Sequence, residues 1–210
     1  MNVASASPTA LLIDGPVGAI EVLIDEPTVD AQHVAVVCHP HPLFGGNMTN
    51  KVTHILARSC NDLGAIAVRF NFRGVGKSSG THDDGRGETD DVVAVLKWSE
   101  QRWPGKSIWL AGFSFGAAMA LRAALVHPVA RLVTVAPALR WLQQLAGAEP
   151  KGPWLIAQGD QDELVDAQAV RKWAENLSQP PTLVILAGAE HFFHGRLNDL
   201  RDVVKSWLIS

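Results

Sequence analysis

Short, continuously apolar runs alternate with helix-like stretches along most of this chain, and that alternation limits the possible folds more than any other feature. The runs span residues 34–38, 65–70, 107–111, 131–136, 154–158 and 183–186. They are apolar at successive positions rather than at every second one, which predicts strands buried on both faces. Between them lie helix-like stretches at 50–62, 88–101, 115–127, 167–177 and 197–208, with Asp166 placed to cap the fourth. Repeated strand–helix–strand order predicts an α/β fold with a mainly parallel central sheet and helices on both faces. Two earlier runs, 10–14 and 19–25, are separated by Gly15-Pro16-Val17-Gly18 and predict an antiparallel N-terminal hairpin at the sheet edge.

A chain of 210 residues fits a single domain spanning 1–210. One connection is longer than the rest: residues 137–153, with one helical turn expected around 140–145. It is too short for a large cap domain, so any site beneath it is expected to be open or covered only by short loops. Hydrophobic residues make up 47% of the chain, charged residues 19%, and the net charge is −3. That balance supplies neither a basic field for nucleic acid nor a polybasic membrane patch. Cys38 and Cys60 each sit in an apolar stretch and are expected as buried free thiols. Residues 1–9 carry no Lys or Arg and no long apolar run, unlike a secretory signal. Residues 109–126 are interrupted by Gly112, Ser114, Gly116 and Arg122, which argues against a membrane span. A cytoplasmic location is the expectation.

The chemistry centres on Gly112-Phe113-Ser114-Phe115-Gly116, a G-x-S-x-G motif between a predicted strand and a predicted helix. A nucleophile on so tight a turn occupies a strained backbone conformation, and side chains two residues either way would clash. Both flanking positions are glycine. The helix that follows begins with small residues, and its N-terminus directs partial positive charge at developing negative charge. A serine hydroxyl also needs a base to take its proton, and that base needs a carboxylate to orient it. Two clusters after later strands offer candidates. One is Gly159-Asp160-Gln161-Asp162-Glu163, with three acids; the other is Gly188-Ala189-Glu190-His191-Phe192-Phe193-His194, with two histidines. Both follow strand C-terminal ends, where open parallel sheets place their sites.

These motifs and their order resemble the α/β-hydrolase superfamily, especially its small, capless bacterial dienelactone-hydrolase-like and esterase-like members, over nearly the whole chain. The resemblance implies a nucleophile, acid, histidine order. It selects Asp162 through the G-x-x-D pattern at 159–162, ahead of Asp160 and Glu163, and His191 through the small-residue turn before it and the aromatics after it. His194 is then a surface or supporting histidine. The loop Cys38-His39-Pro40-His41-Pro42 stands where related hydrolases carry a His-Gly-type oxyanion loop. Prolines 40 and 42 have no N–H to give, so the implied donors are the amides of His41, with Leu43 as alternative, and of Phe115 after the nucleophile.

The expected activity is serine hydrolysis of a small carboxylic ester or related acyl compound through an acyl-enzyme, carboxylesterase-like and without a cofactor. Peptide cleavage, thioester cleavage and acyl transfer would use the same groups, and the fold also supports non-catalytic binding modules. The expected partner is a small-molecule acyl substrate, not nucleic acid or a membrane. His39-Pro40-His41 lacks the further ligand cluster of a zinc site, so no metal is expected. Residues 70–80 lack the first glycine of a phosphate loop and resemble the R-G-x-G-x-S loop of α/β-hydrolases, which implies that Arg73 braces neighbouring loops, with a substrate-carboxylate contact as the alternative. The acidic segment 83–91 is expected as an exposed loop entering a helix, and Trp141 and Leu142 as walls of an acyl pocket.

Overall fold

The computed structural model describes residues 7–142 and 148–210. Eight strands form one sheet: β1 (Thr9–Gly15), β2 (Gly18–Asp25), β3 (His33–Cys38), β4 (Ala65–Phe70), β5 (Ser107–Phe113), β6 (Arg131–Val135), β7 (Trp154–Gly159) and β8 (Thr182–Leu186). Their order is β1-β2-β4-β3-β5-β6-β7-β8. From β4 to β8 every pairing is parallel, whereas β1 and β2 form a hairpin that joins β4 antiparallel. Among the described residues, four helices connect strands, α1 (Lys51–Asn61), α2 (Arg86–Arg102), α3 (Phe115–Val126) and α4 (Ala167–Glu175), and α5 (Leu197–Leu208) follows β8.

The apolar runs are continuous because both sheet faces are covered. On β3, Val34, Val36 and Cys38 join the core beneath α2 and α3, while Ala35 and Val37 join the opposite core beneath α1 and α5. The hairpin strand β2 is covered on one side only and alternates buried with half-buried positions. Strand limits fall within two residues of those read from the sequence. The largest extension is at β5, which continues to Phe113 because that residue still pairs with Val135.

Helix caps follow local chemistry. Asn50 accepts from the Val52 and Thr53 amides to start α1, and Asp166 accepts from those of Gln168 and Ala169 to start α4. The connection from β6 to β7 carries a 3-10 turn at Leu139–Trp141 and, among the described residues, no cap domain; of the helical turn expected around 140–145, residues 143–145 lie outside the described residues. No helix among the described residues is long and apolar enough to cross a membrane.

One topological fact positions the site. After β3 the chain places β4 on one side and β5 on the other, so strand order reverses at β3. The loops leaving the C-terminal ends of β3 and β5 therefore diverge and open a crevice, as in other open α/β sheets.

Candidate active site

Ser114 sits where β5 becomes α3, at φ 55° and ψ −115°, in the left-handed region that non-glycine residues rarely occupy. Its amide donates to the Val135 carbonyl at 2.8 Å, which anchors the turn. A β-carbon at Gly112 would run into the Gly116 carbonyl, and one at Gly116 into the carbonyls of His39 and Cys38. Both glycines are thus required by close backbone approach. The serine stands at the N-cap position of α3 without making a side-chain capping bond.

Its hydroxyl instead meets His191, with Oγ and Nε2 3.1 Å apart. The other ring nitrogen, Nδ1, lies 2.8 Å from Asp162 Oδ2 and 3.0 Å from Oδ1. A carboxylate only accepts, so Nδ1 carries the proton and Nε2 is free to accept from Ser114. His191 is 2% exposed. Burial raises the Asp162 carboxyl, but hydrogen bonds from His191, Val165 and Leu164 outweigh it and hold the group below its ordinary value.

The loops bearing Asp162 and His191 are tied together. Gln161 donates its amide to the Ala189 carbonyl at 3.0 Å, and Asp160 donates its amide to that of Leu186 at 3.2 Å. The Asp160 carboxylate accepts from the Gly188 amide at 2.6 Å, so this acid serves the turn. Glu163 accepts from the His191 backbone amide at 3.3 Å. His194 is exposed and pairs with Glu190 on its own loop.

On the β3 side, His39 is fully buried and held at both nitrogens. The Phe72 amide donates to Nε2 at 3.1 Å, so the ring proton is on Nδ1 and goes to the Pro40 carbonyl at 2.6 Å. Burial lowers its pKa to about 4. The His41 ring accepts from the Leu43 amide at 3.2 Å and so caps a 3-10 turn at Pro42–Phe44. That bond occupies the Leu43 amide, the alternative oxyanion donor. The hydrogen bonds of the loop leave the His41 amide uncommitted among the described residues, and Phe115, at the first position of α3, has no intrahelical acceptor. Burial, then the neighbouring His82 and Arg140, lowers the His41 ring to about 4.

Ser114, Phe115, His41 and His191 line a cavity of about 590 Å³. One wall comes from Phe44 and its loop, another from Ala138–Arg140, and a third from Leu164, Val165 and Ala169, with Phe192 at the edge. Among the described residues, no three His, Cys, Asp or Glu side chains gather as a metal site would require.

A family model described as the α/β hydrolase fold matches residues 36–146. A structure of an α/β serine hydrolase homologue from Coxiella burnetii is 45% identical with a TM-score of 0.91, covering 97% of this chain and 98% of that one. The chain belongs to the α/β-hydrolase family. A lidless α/β serine hydrolase from Xanthomonas campestris is 44% identical with a TM-score of 0.92, covering 99% of this hydrolase and 96% of that chain. An uncharacterized protein of Rickettsia prowazekii (strain Madrid E) is 33% identical over 95% of this hydrolase and 88% of its own length.

Several features of this α/β hydrolase escape sequence reading. Gln158, at the end of β7, donates to Asp162 Oδ2 at 2.9 Å; the signal was an amide closing an otherwise apolar run. In the acidic segment, Asp83 and Asp84 are exposed as expected, but Glu88 and Asp91 are fully buried. Glu88 accepts from the Asp83 and Gly85 amides, and Asp91 pairs with Arg73 at 2.8 Å. Arg73 is therefore the brace expected of it. Leu139 and Arg140, rather than Trp141 and Leu142, form the cavity wall. Trp141 instead backs Phe115 at a ring separation of 5.1 Å, and Leu142 is in the core.

Proposed function

We propose that this hydrolase cleaves a small carboxylic ester or related acyl compound through an acyl-enzyme, with Ser114, His191 and Asp162 as its catalytic triad. The supporting observation is the unbroken hydrogen-bonded line from Ser114 Oγ through both nitrogens of His191 to Asp162 at the floor of an apolar cavity. Ser114 Oγ attacks the carbonyl carbon as its proton passes to Nε2 of His191. The resulting oxyanion takes hydrogen bonds from the amides of His41 and Phe115. His191 then gives its proton to the departing alcohol, which leaves the acyl group on Ser114. A water repeats the cycle and releases the acid, while Asp162 keeps Nδ1 protonated and offsets the imidazolium charge.

The cavity also supports a choice of acyl group. Its walls present Phe44, Leu139, Leu164, Val165 and Phe192, so the favoured substrate carries an apolar acyl chain of several carbons.

The test is a panel of p-nitrophenyl esters of graded chain length, with thioester and peptide substrates beside them, on wild type and Ser114→Ala. Ester turnover in wild type and its loss by several orders of magnitude in the variant are expected. Full activity in Ser114→Ala would overturn the mechanism. Failure of a fluorophosphonate probe to label Ser114 in folded protein would point to a non-catalytic binding module instead.

A further inference from the structure

Strand β7 contains one residue that its environment does not call for. Trp154, Leu155, Ile156 and Ala157 are apolar and buried, as a strand covered on both faces requires. Gln158 follows them at 0% exposure. Its Nε2 faces acceptors only: Asp162 Oδ2 at 2.9 Å, the Val165 carbonyl at 3.1 Å and the Gly159 carbonyl at 3.2 Å. The amide is thereby oriented without ambiguity. Its Oε1 is buried and has no partner among the described residues. A buried carbonyl without a donor is destabilising, and a valine or methionine here would avoid that loss. The site retains a polar residue whose donor end makes its shortest contact with a carboxylate and shares the rest with two backbone carbonyls.

We infer that Gln158 is a positioning residue that fixes Asp162 Oδ2 beside Nδ1 of His191 and shares that oxygen's charge. The inference rests on the triad reading above. The Asp162 carboxylate is held from three directions. Oδ1 accepts from the amides of Leu164 and Val165 at 2.9 and 2.7 Å, whereas Oδ2 is divided between Gln158 and His191. The loop bonds set where the acid lies; Gln158 sets how it is turned and how much of its charge His191 receives. The other charged groups near this pair are Asp160, Glu163, Asp166 and Arg171 from the β7–α4 segment, Glu190 from the β8–α5 loop, and Arg140 across the cavity. Asp160, Glu163 and Glu190 have partners of their own, and Asp166 caps α4. Among the described residues, Gln158 is the side chain besides His191 that donates to Asp162.

Gln158→Met keeps the volume, removes the donor and removes the orphan carbonyl. With Oδ2 no longer shared, Asp162 stabilises the imidazolium more strongly. The acid limb of the kcat/KM profile should therefore move to higher pH. kcat should fall about tenfold with KM little changed, as the loss of one hydrogen bond to a charged group implies, and thermal stability should be retained. Gln158→Glu keeps the shape, and two buried carboxyls in contact share one proton, so Oδ2 gives less charge to His191 and the acid limb should move to lower pH. A folded Gln158→Met with wild-type kcat and an unmoved acid limb overturns the inference. So does a kcat loss in either variant that tracks a fall in Tm with no change in the profile.

The low-field Nδ1 proton resonance of His191, followed without substrate, reads the same contact independently of turnover and decides the matter if Gln158→Met does not fold. It should shift between wild type and Gln158→Glu; an unchanged resonance overturns the inference. If wild type neither turns over esters nor takes the fluorophosphonate label, the hydrolase reading fails, and this resonance still tests the role of Gln158.

Discussion

Gly159 and Ala189 approach so closely that a β-carbon at position 159 would run into the Ala189 carbonyl. The contact lies where the loop carrying Asp162 crosses the loop carrying His191. Gly159→Ala should push these loops apart and lengthen the Asp162–His191 hydrogen bond. A displacement near 1 Å in a reacting constellation costs on the order of 100-fold, and overpacking costs about 1–3 kcal/mol. Steady-state kinetics and thermal melting should therefore fall together. Wild-type turnover in this variant would show that the close approach has no bearing on the reaction.

Asp162 and Asp160 separate cleanly under substitution. Asp162→Asn keeps the shape but allows the wrong His191 tautomer, and kcat should drop about 10⁴-fold. Asp160→Asn loosens the Gly188 turn and should leave kcat within about tenfold, with the larger effect on Tm. The reverse ranking in a p-nitrophenyl ester assay would reassign the acid.

Acid should weaken the fold through His39. Its neutral ring accepts from Phe72 and donates to Pro40, and burial lowers its pKa from 6.5 to about 4. Between those values the unfolded chain binds the extra proton. Stability is therefore intact above about pH 6.5 and is lost as pH falls towards 4, by about 3 kcal/mol from this residue. His33, His41 and His54 are lowered as well and act in the same direction. Urea midpoints at pH 7 and pH 5 should differ more for wild type than for His39→Gln, which keeps an acceptor for the Phe72 amide. Equal differences would rule out the assignment.

Chain-length preference should reside in the rim. Phe44 is 79% exposed and Leu164 64% exposed, and both line the cavity from different loops. Phe44→Ser or Leu164→Ser should reduce kcat/KM on a hexanoate ester roughly fivefold, given ~25 cal/mol per Å² of apolar contact. Acetate turnover should stay within twofold. Equal losses on both substrates would mean that the rim supports the fold rather than the acyl chain.

The strands were accessible to sequence reasoning because burial on both faces leaves a signal in every residue of a strand; their order in the sheet was not. The serine turn was accessible because Gly112 is required by the nearby backbone of Gly116 and Ala117, although Gly116 is required by the distant carbonyls of His39 and Cys38. Other features depend on contacts that no local pattern encodes. Glu88 and Asp91 read as solvated because the residue that buries Asp91, Arg73, arrives from the loop after β4, and Gly87 leaves room for its guanidinium. Leu139 rather than Trp141 faces the cavity because the 3-10 turn rotates the tryptophan towards Phe115. Gln158 was concealed at the end of an apolar run, where one amide reads as the strand's edge.

The capless connection between β6 and β7 bears on the fate of the acyl group. Among the described residues, nothing folded over the cleft shields Ser114 from bulk solvent or must swing aside before a product can depart. Partitioning of an acyl-serine among acceptors would then follow their abundance at the cavity mouth, and water is the most abundant. On the proposed acyl-enzyme route, an open crevice of this kind favours hydrolysis over transfer to rarer acceptors.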